Sequence, residues 1–257
     1  MTQYSSVTAL SDLRPPETQH DEAALRVQLA AAYRIFDYLG WTMLIYGHIT
    51  ARVPGPERHF LINPFGLMYD EITASNLVKI DIDGTIVGPS EHPVNPAGFV
   101  IHSAVHAARE DAHCIMHTHT RAGMAVAAME CGLQGNDFAG IALHDRVAYH
   151  DFEGVTVRND ERERLAEDLG DKNLMILRNH GLLSCGRTIP QAFLRLYTLE
   201  TACQVQTTAQ AANTPLITPS PDARERHAEA LENADSGELA FDALVRLMDR
   251  RDPSFRD

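Results

Sequence analysis

The chain has 257 residues, 44% of them hydrophobic, enough for one large domain with a sizeable core. Its formal net charge of −13 argues against nucleic acid or an anionic membrane surface as a partner. No apolar run approaches the length of a membrane span, and Met1 to His20 lacks the apolar centre of a secretory leader, so a cytoplasmic protein is expected.

Residues 1–20 read as a flexible arm in which Pro15-Pro16 breaks any helix. From 21 to 39, Leu25, Leu29, Ala32, Phe36 and Leu39 form one helical apolar stripe, and Gly40 stands where a C-terminal cap is expected. Residues 59–63 and 77–88 look extended, and Asp83-Gly84 predicts a hairpin inside the second stretch. A proline-rich loop covers 89–97. Asn95 caps a helix that starts at Pro96 and runs to about Arg109. Residues 114–119 read as a buried strand, followed by a helix from about 121 to 130. Residues 161–169 are expected to be helical and 174–178 extended. Thr188 and Gln191 predict a capping box for a long helix to about Ala211, with Phe193, Leu196, Cys203 and Val205 on its buried side. Pro215 to Pro221 reads as a linker. Residues 222–250 read as charged helix with Leu239, Phe241, Leu244, Leu247 and Met248 as its apolar face. The expected organisation is an arm (1–20), one domain (21–213), and a linker with a C-terminal helical appendage (214–257). That appendage is expected to pack on the domain or on a neighbouring subunit. Cys114, Cys131, Cys185 and Cys203 are widely spaced without a CxxC pair, which fits reduced thiols better than a zinc knuckle.

The densest chemistry is His117-Thr118-His119, at the end of the apolar run Cys114-Ile115-Met116. Alternate residues of a strand share a face, so His117 and His119 point the same way. A second apolar run, Leu174 to Leu177, ends in Arg178-Asn179-His180-Gly181. A third imidazole at His180, set on a loop by a permissive glycine, would complete a three-histidine divalent metal site with positions open for substrate. The same pattern suits two half-buried, hydrogen-bonded histidines, and spacing alone does not bring His180 near.

Other candidates are weaker. His102 and His106 have chelating helical spacing, but one core and one exposed histidine is the plainer reading. Arg121 directly follows the His-Thr-His-Thr run and is a candidate carboxylate clamp; a helix-start arginine fits equally. Tyr149, His150 and Asp151 offer an acid or base, although Tyr149 also suits the core. Glu91 reaches a site only if the 89–97 loop folds inward.

Taken as a set, the motifs resemble the class II aldolase/adducin family, which includes bacterial fuculose-phosphate aldolase. The matching stretches are Tyr46 to Val53, Leu61 to Gly66, Ile80 to Gly84, Asn95 to His102, His117 to His119 and Leu177 to Leu182, in the family's order. Ala97-Gly98-Phe99 and Val147-Ala148-Tyr149-His150-Asp151 are closer to the adducin-like branch than to the sugar-phosphate aldolases. The resemblance implies a three-layer α/β/α fold around a central, mostly antiparallel sheet, and a homotetramer with sites near subunit interfaces. It implies one divalent ion per chain on His117, His119 and His180, zinc first, with Mn, Co or Fe as alternatives. It places His102 near the site. Two departures stand out. Pro96, Ala97 and Gly98 occupy the positions of the sugar-phosphate aldolases' two serines and catalytic glutamate. Gly47-His48 and Phe65-Gly66 replace their phosphate contacts.

The expected function is a metal-dependent carbon–carbon lyase, aldolase or decarboxylase, acting on a small non-phosphorylated carboxylic acid of the hydroxy, oxo or aromatic kind. A neutral three-histidine shell leaves the ion its full charge, which favours an anionic chelating substrate. His102, Arg121 and Tyr149 are the expected catalytic residues. Two alternatives remain open at this stage: a non-catalytic binding module like the adducin head, and an iron oxygenase on the same three histidines.

Overall fold

Asp21 starts the first helix, α1 (Glu22–Tyr38), by accepting the Ala24 amide at 2.8 Å, and Gly40, at φ 70°, turns the chain away after Leu39. The computed structural model describes residues 21–143, 145–154, 160–232 and 236–257, without the side chains of residues 96, 97, 231 and 232. The expected arm, residues 1–20, lies outside the described residues.

Seven strands follow: β1 (His48–Arg52), β2 (Phe60–Ile62), β3 (Val78–Ile80), β4 (Cys114–Thr118), β5 (Val147–His150), β6 (Leu174–Leu177) and β7 (Gly181–Gly186). They form one sheet in the order β3-β2-β1-β4-β7-β6-β5. Every pairing is antiparallel except β5 with β6. Among them run α2 (Pro96–Ala108), α3 (Arg121–Ala127), α4 (Phe138–Ala142), α5 (Glu161–Leu169), α6 (Ile189–Ala211), α7 (Pro221–Glu232) and α8 (Glu238–Arg251).

Strand alternation sorts the helices into two layers. Cys114 and Met116 join the main core, which contains Leu29 and Phe36 of α1, Val126 of α3, Phe193 and Leu196 of α6 and Phe241 of α8. Ile115 points the other way, into a smaller core with Ile101 and Val105 of α2 and Leu165 and Leu169 of α5. The result is a three-layer α/β/α fold with a mostly antiparallel sheet.

Several elements differ from expectation for identifiable reasons. The 77–88 stretch is a strand only to Ile80, because Asp81 Oδ1 accepts the amides of Asp83 and Thr85, each at 2.9 Å, and folds the chain into a tight loop. A single bridge, Ile80 to Ile86, survives of the hairpin. Helix α3 stops at Ala127, because the following carbonyls serve side chains from elsewhere: Arg178 Nη1 donates to Met129 O at 2.7 Å and Gln206 Nε2 to Gly132 O at 2.8 Å. Val205 is 41% exposed. It lies two positions from the buried Cys203, about 200° around the helix. Thr188 caps α6 by accepting the Gln191 amide at 3.2 Å, whereas Gln191 Oε1 reaches the Arg187 amide instead of closing the box. Phe241 lies 5.6 Å from Phe193, and Arg34 of α1 binds Asp252 at 2.7 Å, so α8 and the tail pack on α1 and α6 of their own chain.

Candidate metal centre

The site stands where β4 and the β6–β7 turn meet. Thr118 pairs with Leu182 across β4 and β7, and Leu177 with Gly181 across β6 and β7. His180 is the last residue of the turn between them. That turn is tied down on three sides: the His180 amide donates to Leu177 O at 3.0 Å, Asn179 to Ala127 O at 3.1 Å, and Arg178 to His150 O at 2.8 Å. The left-handed residue is Asn179, at φ 56°, and not the glycine. Gly181 serves close approach. A Cβ there would collide with the Thr118 carbonyl oxygen and lie 3.3 Å from His117 Cε1.

The three imidazoles converge on their Nε2 atoms. His117 Nε2 lies 2.7 Å from His119 Nε2, which lies 2.9 Å from His180 Nε2. All three ligand atoms fall within 4.8 Å of one another. His117 Nδ1–H donates to Leu182 O at 2.9 Å, so the neutral ring turns a lone pair inward. His119 would have to aim one hydrogen at both neighbours to satisfy the cluster by hydrogen bonds alone. A divalent ion accepts all three lone pairs at once, so the donor set fits such an ion. His119 Nδ1 is buried without a partner among the described residues, which give that ligand ring no outer support.

Burial keeps these rings neutral. It pushes His117 well below the ordinary imidazole range, helped by the neighbouring His119, His180 and His48. It lowers His119 as well, and brings His180 down to about 4, with His119 and His150 adding to the effect. Neutral rings need release no proton to ligate near pH 7.

A second group of polar side chains lies on the α2 face of the sheet. His48 of β1 pairs in register with His117, and their rings are 5.1 Å apart. His48 Nδ1 meets His102 Nε2 at 2.8 Å; His102 Nδ1 meets Thr50 Oγ1 at 2.7 Å. Thr50 Oγ1 also meets His106 Nε2 at 2.8 Å, and His106 Nδ1 reaches Ala112 O at 2.8 Å. His106 is therefore buried beside His102, against the expectation of one core and one exposed ring. It stacks on Phe60 at 4.3 Å, between the sheet and its own helix. Burial depresses His48 and His102 well below their usual value and His106 to about 3.

The remaining candidates separate clearly. Arg121 is exposed at the first position of α3, without an ion pair among the described residues. Thr120 before it caps α3 by accepting the Gly123 amide at 3.3 Å and donates to the buried Glu200 of α6, whose carboxyl is raised by burial. Tyr149 is not with the histidines. Its ring packs against the main core, on the opposite face from His117. Its hydroxyl accepts the Leu133 amide at 3.0 Å, and Arg178 sits 4.3 Å above it. Strand alternation gives the α5 face to His150 instead, where its Nδ1 binds Asp168 at 2.7 Å. Glu91 and Asp151 are exposed. The resemblance placed His48 at a phosphate-contact position, but the sequence did not reveal Thr50 or the link from His48 to His102; the alternation of His48 and Thr50 with Ile49 and Ala51 in a strand was the available signal.

Comparison with known proteins gives this architecture its family. The profile of the Class II Aldolase and Adducin N-terminal domain matches residues 27–207. The chain belongs to the class II aldolase/adducin family. An aldolase II superfamily protein from Pseudomonas syringae superposes with a TM-score of 0.88 at 48% identity, covering 97% of this chain and 100% of that one. The L-fuculose 1-phosphate aldolase from Glaciozyma antarctica PI12 superposes with a TM-score of 0.85 at 30% identity, covering 96% and 99%. Alpha-adducin of Mus musculus is 44% identical over 263 residues, covering 95% of this chain and 36% of that protein.

Proposed function

We propose that the protein is a divalent-metal-dependent carbon–carbon lyase, aldolase or decarboxylase, for a small non-phosphorylated hydroxy, oxo or aromatic carboxylic acid. The observation that carries this reading is the convergence of the His117, His119 and His180 Nε2 atoms at the mouth of the sheet. A divalent ion held there, zinc first and Mn, Co or Fe as alternatives, supplies Lewis-acid polarisation of a substrate oxygen. His117 is held in the ligating tautomer by Leu182 O, and the Asn179 turn fixes His180. Gly98 and Phe65 offer neither a carboxylate nor a hydroxyl for a phosphorylated sugar, which supports an unphosphorylated substrate. Arg121 is the proposed carboxylate clamp, one residue beyond the cap that follows His119. A homotetramer in the cytoplasm belongs to the same reading; Phe138 at 73% exposed and Tyr197 at 42% are apolar surface such an assembly would cover.

Elemental analysis tests the centre: about one divalent ion per chain is expected, and a folded His117→Ala/His119→Ala variant that keeps its metal would overturn it. Screening hydroxy, oxo and aromatic acids for released CO₂ or aldehyde, under air and under nitrogen, tests the chemistry. Arg121→Ala should then lower kcat/KM by roughly one to two decades, the loss of a charge-assisted bond. Unchanged turnover by that variant would remove the clamp. The 44% identity to alpha-adducin supports a second reading, a non-catalytic binding module, which gains if no acid reacts with any metal or atmosphere.

A further inference from the structure

We propose that His48 contacts the substrate through an unprotonated Nε2, accepting the hydroxyl hydrogen of a hydroxy acid. The claim rests on the metal-site reading above and narrows its substrate class.

Direction can be assigned along the His48–His102–Thr50–His106 chain from its far end. A carbonyl oxygen only accepts, so the contact at Ala112 O places a hydrogen on His106 Nδ1. The neutral ring then offers a lone pair at Nε2, which must accept the Thr50 hydroxyl hydrogen at 2.8 Å. Thr50 has one hydrogen to give, so its 2.7 Å contact with His102 requires His102 Nδ1–H to donate. His102 Nε2 is thereby an acceptor, and His48 Nδ1–H donates to it at 2.8 Å. The last atom in the chain, His48 Nε2, is left with a lone pair and no hydrogen-bond partner among the described residues. The rings are buried, which disfavours the charged forms that would break this order. All three histidines are thus Nδ1–H tautomers, a pattern set by the Ala112 carbonyl at the far end.

The place where this lone pair is presented is made by a missing side chain. A Cβ on Gly98 would lie 2.8 Å from His48 Cγ and 2.9 Å from its Nε2, so only glycine admits the ring there. The ring lies 5.1 Å from that of His117, beside the metal ligands. Among groups a small acid carries near a metal, a hydroxyl donates where a ketone oxygen does not. An acceptor in this position therefore selects hydroxy over oxo acids.

Long-range ¹H–¹⁵N spectra of the wild-type protein read the imidazole tautomers directly. His48, His102 and His106 should all carry their hydrogen on Nδ1; an Nε2–H tautomer at His48 overturns the proposal. Titration of the zinc-loaded protein with lactate and with propionate reads the contact. The preference for lactate should fall by about fivefold to tenfold, one hydrogen bond's worth, in Gly98→Ala, which displaces the ring. It should fall similarly in Thr50→Val, which cuts the chain. Metal content should stay unchanged in both. An unchanged preference in both folded, loaded variants, or no lactate binding by loaded wild type, overturns the contact. A wild-type protein that holds no metal sinks the metal reading instead, and the tautomer spectrum still decides the chain.

Discussion

A buried imidazole without charge is a standing debt to acid. His106 sits between Phe60 and Thr50, donates to Ala112 O, and is pushed by burial down to about 3. In an unfolded chain it would titrate near its ordinary value of 6.5. Between those values the unfolded state binds the extra proton, so stability is intact above pH 6.5 and falls as pH drops towards 3. At about pH 5 one such ring accounts for a loss on the order of 2 kcal/mol. Urea midpoints at pH 7 and 5 should show the decline, and His106→Gln should lessen it by one ring's share, the other buried imidazoles keeping the rest. A wild-type midpoint that holds constant over that range would contradict the assignment. At this scale His117, His119 and His180 could be picked out of the sequence, among 13 histidines, because their motifs are dense and each ends an apolar run. Thr50 and the place of His48 beside the ligands could not, because they come from cross-strand register: His48 stands opposite His117 only once β1 and β4 have paired.

At the level of elements, the β6–β7 turn decides whether His180 reaches the other two ligands. Its conformation depends on Asn179 at φ 56°, a region that asparagine tolerates, glycine prefers and β-branched residues avoid. Asn179→Gly should therefore keep stability within a few tenths of a kcal/mol and retain metal. Asn179→Val should cost about 1–2 kcal/mol and weaken metal binding, read by denaturation and by competition with a chromophoric chelator. Equal behaviour of the two variants would show that the turn does not set the ligand. Long periodic elements, α1 and α6, were legible from their apolar stripes. Among short elements, β4 and β6 were legible as continuous apolar runs, whereas β1 and α4, five residues each, were too short for either period to stand out. The face of Tyr149 was equally hidden, since a one-residue change of strand boundary exchanges it with His150.

Across the whole molecule, the sheet separates two jobs. The α1, α3, α6 and α8 side holds the larger apolar core, and the α2 and α5 side carries the polar chain from Ala112 to His48. The family and its three layers followed from motifs spread along the chain. The packing of Phe241 and Phe255 into the main core did not, because a charged amphipathic segment fits its own domain or a neighbour equally well.

The three converging histidines come from the two sides of one seam. β4 ends the run β3-β2-β1-β4, β7 begins the run β7-β6-β5, and the seam between them is the middle of the sheet. Metal loading there should act as a clasp between halves, felt by amide exchange before it is felt by any activity. Protection should rise at His117, Thr118, Leu182 and Leu183, whose pairing crosses the seam, and stay level at Val78 and Lys79 on the far edge. Exchange measured with and without added zinc would show it; uniform protection across the sheet would mean that the ion steadies the fold as a whole and not its midline.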